Sequence, residues 1–112
     1  MKYLKVVEGL IRYVDDEMLP LMNDNQQTGY VILCEILSDD ATRDSLSGNM
    51  LVRSFLSMDK NGDINVDRLY SHLKASVKRK GKLVLNIPLY GKMTFTDPDI
   101  DKIFNIMKEL DK

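Results

Sequence analysis

The sequence predicts an α+β fold, mostly helical, in which a helical first half packs with a small antiparallel β-hairpin and two capped helices in the second half. Two observations lead to this class. Apolar residues recur at three- and four-residue steps through the first half, as in amphipathic helices. Short alternating segments next to glycines appear in the second half, as in strands. A chain of 112 residues is expected to form a single domain, residues 1–112.

The first helix is predicted to start near residue 2 and to end or kink at Pro20, because proline disfavours α geometry in the residue before it. Asn23-Asp24-Asn25 then forms a break with side chains that can cap the next helix. Residues 26–37 could be a helix or a buried strand. We favour a helix, because Glu35, Ile36 and Leu37 make the segment long for a strand.

Two shorter helices are predicted to complete the first half. Asp39-Asp40 can cap a short helix that ends near Gly48. The apolar residues of the segment 50–58 mark another helix. Together with the preceding segments, they predict three or four packed helices.

The acidic segment 59–70 is predicted to form a turn, a short strand and the start of a helix. Asn61-Gly62 is a strong turn dipeptide, and residues 63–66 alternate between polar and apolar. Asp67 would cap the helix that follows. Gly81 would end that helix, with three cations in its last turn.

A similar unit follows. Residues 82–87 and 92–96 are two predicted strands joined by a short connection over residues 88–91, which predicts an antiparallel hairpin. The short strand near Ile64 can join its edge, and the last helix can cover it. Asp97 is the predicted N-cap of that helix, with Pro98 at the first helical position.

The acidic segment also raises a calcium hypothesis. In an EF-hand loop, Asp59, Asn61 and Asp63 would occupy positions 1, 3 and 5. Ile64 stands where the loop needs glycine, and Tyr70 stands where it needs a bidentate glutamate. We therefore predict no metal site and no cofactor, with those three residues as the alternative candidates for a degenerate calcium site.

A basic run offers a second alternative, nucleic-acid binding. Its members lie on one predicted helix or just after it and could contact phosphates: Lys74, Lys78, Arg79, Lys80 and Lys82. The position of this run at a helix C-terminus already explains it, because cations there complement the helix dipole. The net charge of −1 adds no general attraction for nucleic acid or an anionic membrane.

No catalytic motif is present, and we predict that the protein is not an enzyme. His72 is the single histidine and is expected at an exposed or boundary position. Cys34, the single cysteine, is expected to be a buried structural thiol. Asp15-Asp16-Glu17 is expected to be a solvated surface, because adjacent carboxylates do not share a helix face.

The favoured function is therefore protein interaction or self-assembly. The sequence has seven methionines and no tryptophan, and flexible methionine side chains can adapt to the surface of a partner. Residues 30–37 and 100–110 are apolar over more than one helix face, which suggests an interface in so short a chain. The sequence contains no convincing targeting or membrane-spanning segment, so a cytoplasmic location is expected.

The second half also resembles small uncharacterised bacterial or phage-associated proteins. The resemblance lies in the segment from Asn61 to Tyr70, in the segment from Gly81 to Gly91, and in the pattern from Thr94-Phe95 to Ile103-Phe104. It implies an accessory protein of a phage or mobile element. It brings no established activity, so it assigns no functional residues.

Overall fold

The computed structural model describes residues 1–87 and 90–112, and this part of the chain confirms the α+β, mostly helical class. A short 3-10 helix at Leu19–Leu21 follows α1, close to the break predicted at Pro20. The elements are α1 (Tyr3–Glu17), α2 (Asp24–Leu37), α3 (Asp40–Gly48), α4 (Met50–Leu56), α5 (Val66–Lys80), β1 (Leu83–Ile87), β2 (Gly91–Phe95) and α6 (Asp97–Leu110).

The core is built around the contact between α1 and α6, the most extensive helix–helix contact in the described chain. Gly9 makes this approach possible, because a Cβ at this position would lie 2.5 Å from Cγ of Met107. The helix α6 buries a stripe at helical spacing: Ile100, Ile103, Phe104 and Met107. The other side of α6 packs against α5.

Capping side chains explain where the helices of the first half begin. Asn23 accepts a hydrogen bond from the Gln26 amide at 2.8 Å, and the Gln26 side chain accepts one from the Asn23 amide at 3.1 Å. This reciprocal cap starts α2, which confirms that residues 26–37 are helical. Asn49 caps α4 by accepting from the Leu51 and Val52 amides. The sequence analysis did not identify Asn49 as a cap.

The predicted hairpin is confirmed, with β1 and β2 antiparallel and Leu85 opposite Met93. Of the connection predicted over residues 88–91, Pro88 and Leu89 lie outside the described residues. The short strand predicted at 63–66 is wrong. Ile64 makes only an isolated bridge to Met58, and Asp63 makes one to Lys2, so this segment does not extend the hairpin.

Both predicted acidic N-caps of the second half are wrong by one or two residues. Asn65 caps α5 by accepting from the Arg68 amide, so Asp67 lies in the first turn, where its charge still favours the helix dipole. Thr96 is the N-cap residue of α6, because Asp99 accepts from both its amide and its hydroxyl. Asp97 therefore lies inside the helix, and Pro98 is its second residue.

Candidate functional site

The three candidate calcium ligands lie in a closed turn whose carboxylates already have partners. Oδ1 of Asp59 accepts from the Asn61 amide at 2.8 Å and from the Asp63 amide at 3.0 Å. Gly62 takes the left-handed conformation at φ 81°. Oδ1 of Asp63 lies 2.9 Å from Nζ of Lys2. In residues 1–87 and 90–112, no three His, Cys, Asp or Glu residues are placed to hold a metal ion together.

The five candidate phosphate-binding cations do not form one patch. Lys74 turns toward α6, with its Nζ 2.7 Å from Asp97 and 3.1 Å from Asp101. The hydroxyl of Tyr70 donates to the same Asp101 carboxylate at 2.6 Å, and the Lys74 ammonium lies 5.5 Å from the Tyr70 ring centre. The hydrogen bonds with Asp97 and Asp101 raise the pKa of Lys74. We name these four residues the α5–α6 clamp.

The remaining cations stay in solvent at the end of α5. The side chains of Lys78, Arg79 and Lys80 are exposed in its last turn, and Lys82 is exposed just after it. Gly81 ends the helix at φ 82°, and its amide donates to the Val77 carbonyl. These residues therefore form a small cationic helix end without Lys74.

His72 and Cys34 differ in exposure. His72 is exposed, as predicted, and its Nδ1 lies 3.2 Å from the Phe55 carbonyl oxygen. Cys34, expected to be a buried structural thiol, is only half-buried. Desolvation raises the pKa of Cys34, which makes its thiol a poor nucleophile at neutral pH.

Two buried tyrosines connect helices through their hydroxyl groups. Tyr13 on α1 donates to the Asp99 carboxylate on α6. Burial tends to raise the pKa of Asp99, but the hydrogen bonds from Tyr13 and Thr96 outweigh it and lower the pKa. Tyr30 on α2 donates to Asp15 at 2.9 Å, and burial is the main reason that its pKa is raised. Both tyrosines remain neutral donors at physiological pH.

The feature that could contact a partner is the outward face of α2. Tyr30 faces the core, while three large aliphatic side chains are exposed around the solvent-facing half of the helix. Val31 is 54% exposed, Ile32 is 37% exposed and Ile36 is 50% exposed. We call these three side chains the α2 outer face. In a globular protein, apolar side chains of a helix normally pack against another element, so this face could form part of an interface.

A second apolar surface lies on α4. Met50 is 81% exposed, Leu51 is 83% exposed and Phe55 is 50% exposed; we call these residues the α4 patch. Arg53 lies on the same short helix, in its last turn. The sequence marked α4 only by its apolar residues, because seven residues give too few turns to show which face is covered.

The core also contains a cavity of about 240 Å³ with apolar walls. Phe55 and Leu85, both partly exposed, are among the side chains that border it. Tyr3 also borders the cavity, and its buried hydroxyl has no hydrogen-bond partner among the described residues.

Comparison with known proteins finds no match to a family model, to a curated protein or to a solved structure. The resemblance of the second half to phage-associated proteins therefore stays a prediction. None of the described helices is both long enough and apolar enough to cross a membrane.

Proposed function

We propose that this chain is a non-enzymatic accessory protein that works by self-association, and that two copies pair through the α2 outer face. The observation that carries the proposal is the exposure of Val31, Ile32 and Ile36 on the solvent-facing half of a well-capped helix. Ile32 and Ile36 are four residues apart and share one helix face, and aliphatic side chains contribute to stability when another helix covers them. Within one copy, the described residues leave them in water.

The amount of exposed surface supports the same conclusion. The chain exposes 7234 Å², whereas a compact monomer of this mass exposes about 6,300 Å². The excess of about 900 Å² is close to the roughly 800 Å² that each partner contributes to a stable interface. One apolar helix face together with its flanking residues can account for an interface of this size.

Length and charge favour a second copy on α2 rather than on α4. Glu35 is the one residue of the types Asp, Glu, Lys, Arg and His between Thr28 and Leu37. If two copies pair antiparallel about a twofold axis near Ile32, Glu35 of each copy lies beside the polar Thr28 of the other. The α4 patch offers a smaller surface, because α4 spans seven residues and α2 spans fourteen.

Sedimentation velocity over a concentration series tests the proposal. We expect the wild-type protein to be a dimer at tens of micromolar and to dissociate on dilution. Ile36→Glu should give a monomer at all concentrations, because it places two buried charges in the interface. Leu51→Glu is the matched control, since it puts the same charge on a more exposed apolar residue of α4 and should leave the dimer intact.

Three outcomes would overturn this assignment. A wild-type protein that stays monomeric at several hundred micromolar would exclude self-association. Loss of the dimer in Leu51→Glu but not in Ile36→Glu would move the interface to the α4 patch. A dimer that survives both substitutions would show that neither surface carries it.

Nucleic-acid binding is the second candidate, and it rests on the cationic end of α5. The exposed side chains of Lys78, Arg79, Lys80 and Lys82 support it, while the clamp position of Lys74 weakens it. Retention on random DNA or RNA should fall steeply with salt if these cations bind phosphates. No mobility shift at low salt would remove this candidate.

The proposal also includes a cytoplasmic location and a role beside a phage or mobile element. The single cysteine suits a reducing compartment. The phage association rests only on the resemblance of the second half. Copurification of the dimer with a phage-encoded protein from infected cells would support it, and recovery of the dimer alone would count against it.

A further inference from the structure

A cleft of about 760 Å³ lies between α4, the acidic turn and the first half of α5, away from the α2 outer face. Its volume is within the range of small-molecule sites. Arg53 lines it from α4, while Arg68 and His72 line it from α5. Arg68 and His72 are four residues apart and therefore share one face of their helix.

The two arginines of this cleft lack carboxylate partners. Among the described residues, neither Arg53 nor Arg68 forms a salt bridge, whereas Arg12 and Arg43 both do. A guanidinium group presents a planar fork of donors that matches the oxygens of phosphate or carboxylate. Two such groups on different helices, facing one cleft, can hold an oxyanion from two sides.

The carboxylates in the cleft do not neutralise these arginines. Asp59 accepts two backbone amides, and Asp63 pairs with Lys2. The amino group of Met1, which also borders the cleft, donates to the Ile64 carbonyl at 2.9 Å. The cleft therefore holds three cationic groups, Arg53, Arg68 and the Met1 amino group, against two carboxylates, one of which is paired with Lys2.

Ser57 adds a second polar feature to the wall of the cleft. It ends α4 in the left-handed conformation, at φ 56° and ψ 44°, where glycine or asparagine is usual. Its hydroxyl is buried and finds no partner within residues 1–87 and 90–112. A strained residue with an unpaired buried polar group is more common at binding sites than elsewhere.

His72 completes the wall of the cleft on the α5 side. The Phe55 carbonyl can only accept, so Nδ1 of His72 carries the proton in their 3.2 Å contact. This contact links α4 to α5 beside the two arginines.

We propose that this cleft binds the phosphate group of a small molecule through Arg53 and Arg68. Phosphate suits this arrangement better than carboxylate does, because its additional oxygens allow both guanidinium groups to bind at once. The proposal is independent of self-association through α2.

Isothermal titration of the purified protein with inorganic phosphate, phenyl phosphate and acetate tests the ligand class. We expect both phosphates to bind at least tenfold more tightly than acetate. Tighter binding of phenyl phosphate than of inorganic phosphate would identify a phosphate ester as the source of the group, and equal binding would identify free phosphate. No detectable binding of either phosphate at 10 mM, or acetate binding of equal strength, would overturn the proposal.

Substitutions locate the site. Arg53→Gln and Arg68→Gln should each weaken phosphate binding by about tenfold or more, because each removes a charged hydrogen-bond donor. Arg79→Gln is the matched control, since it removes an exposed arginine from α5 outside the cleft. If Arg79→Gln weakens binding as much as Arg68→Gln, the binding is a general property of the basic surface and the proposal fails.

Discussion

The helices α2 and α6 have the same length, 14 residues each, and both are rich in aliphatic side chains, but they differ in how much of their apolar surface is buried. The apolar stripe of α6 is almost completely buried. That of α2 is divided between the core and solvent. An apolar helical pattern therefore predicts that a helix forms. How much of its apolar surface is buried within one copy depends on the position of the helix in the fold.

Polar contacts reinforce this difference. Tyr13 on α1 and Lys74 on α5 each bond a carboxylate in the first turns of α6, so this helix is fixed from two sides. In α2, Tyr30 makes the main polar link, to the Ile11 carbonyl and the Asp15 carboxylate of α1. Within residues 1–87 and 90–112, one side of α2 has no neighbour in the same copy.

Truncation of a large side chain should have the largest effect on the free energy of unfolding, and this effect should be much greater in α6 than in α2. Phe104→Ala on α6 should lower the free energy of unfolding by about 3–5 kcal/mol, because it leaves a cavity beside α1 and α5. Ile36→Ala on α2 should change the stability of the isolated copy by less than about 0.5 kcal/mol. Urea denaturation at low protein concentration measures both; similar losses would show that α2 is buried like α6.

The next effect concerns the close approach of α1 and α6. Gly9→Ala should destabilise the protein by about 1–3 kcal/mol, since its new methyl group overlaps the Met107 side chain. The gain in helix propensity, about 1 kcal/mol, offsets only part of this cost. Gly48→Ala is the control, because nothing lies within 4 Å of its added Cβ. Gly48→Ala should stabilise the protein slightly. If Gly9→Ala stabilises it to the same extent, α1 and α6 do not approach closely at Gly9 and Met107.

Acid should loosen α6 through the carboxylates of its first turns. Hydrogen bonds from Tyr13 to Asp99 and from Tyr70 and Lys74 to Asp101 hold both carboxyl pKa values below the usual 3.8. Their contribution to stability is present above this pH and is lost as the pH falls through the lower folded-state values. Tyr13→Phe should reduce the difference in unfolding free energy between pH 6 and pH 3; an unchanged difference would remove Asp99 from this role.

The smallest expected effect on a single copy comes from the α2 outer face. Val31→Ser should change the unfolding free energy of the monomer by no more than about 0.5 kcal/mol. In the wild-type protein, dimerisation should make the melting temperature rise with concentration. Val31→Ser should flatten this dependence. An equal concentration dependence in the two proteins would mean that Val31 does not lie in the interface.

The sequence predicted most elements because each had a local cause. Asn23 with Gln26, Gly81, and the alternation of β1 and β2 are signals contained within a few residues. The two errors in the N-caps arose where two neighbouring polar residues compete for one role. Asn65 rather than Asp67 caps α5, and Thr96 rather than Asp97 caps α6, because reach to a particular amide decides between them.

The candidate sites were less predictable because they depend on contacts between distant segments. The sequence places Lys74 with the basic run, whereas in the structure it lies between Asp97 and Asp101. The cleft formed by Arg53, Arg68 and His72 joins two helices through a turn, and no sequence spacing indicates it. The surplus of apolar residues in segments 30–37 and 100–110 suggested an interface in either, but only the fold shows that the first segment exposes it.

Disulfide cross-linking at Ile32 tests the central claim most directly. In a Cys34→Ala background, Ile32→Cys should form a linked dimer on mild oxidation, because the proposed twofold axis brings the two positions together. Leu51→Cys is the control, and its position is 83% exposed against 37% for Ile32. The account predicts faster and more complete linkage at the less exposed position 32. If disulfide formation is instead faster at position 51, as its greater exposure alone would predict, the account is contradicted.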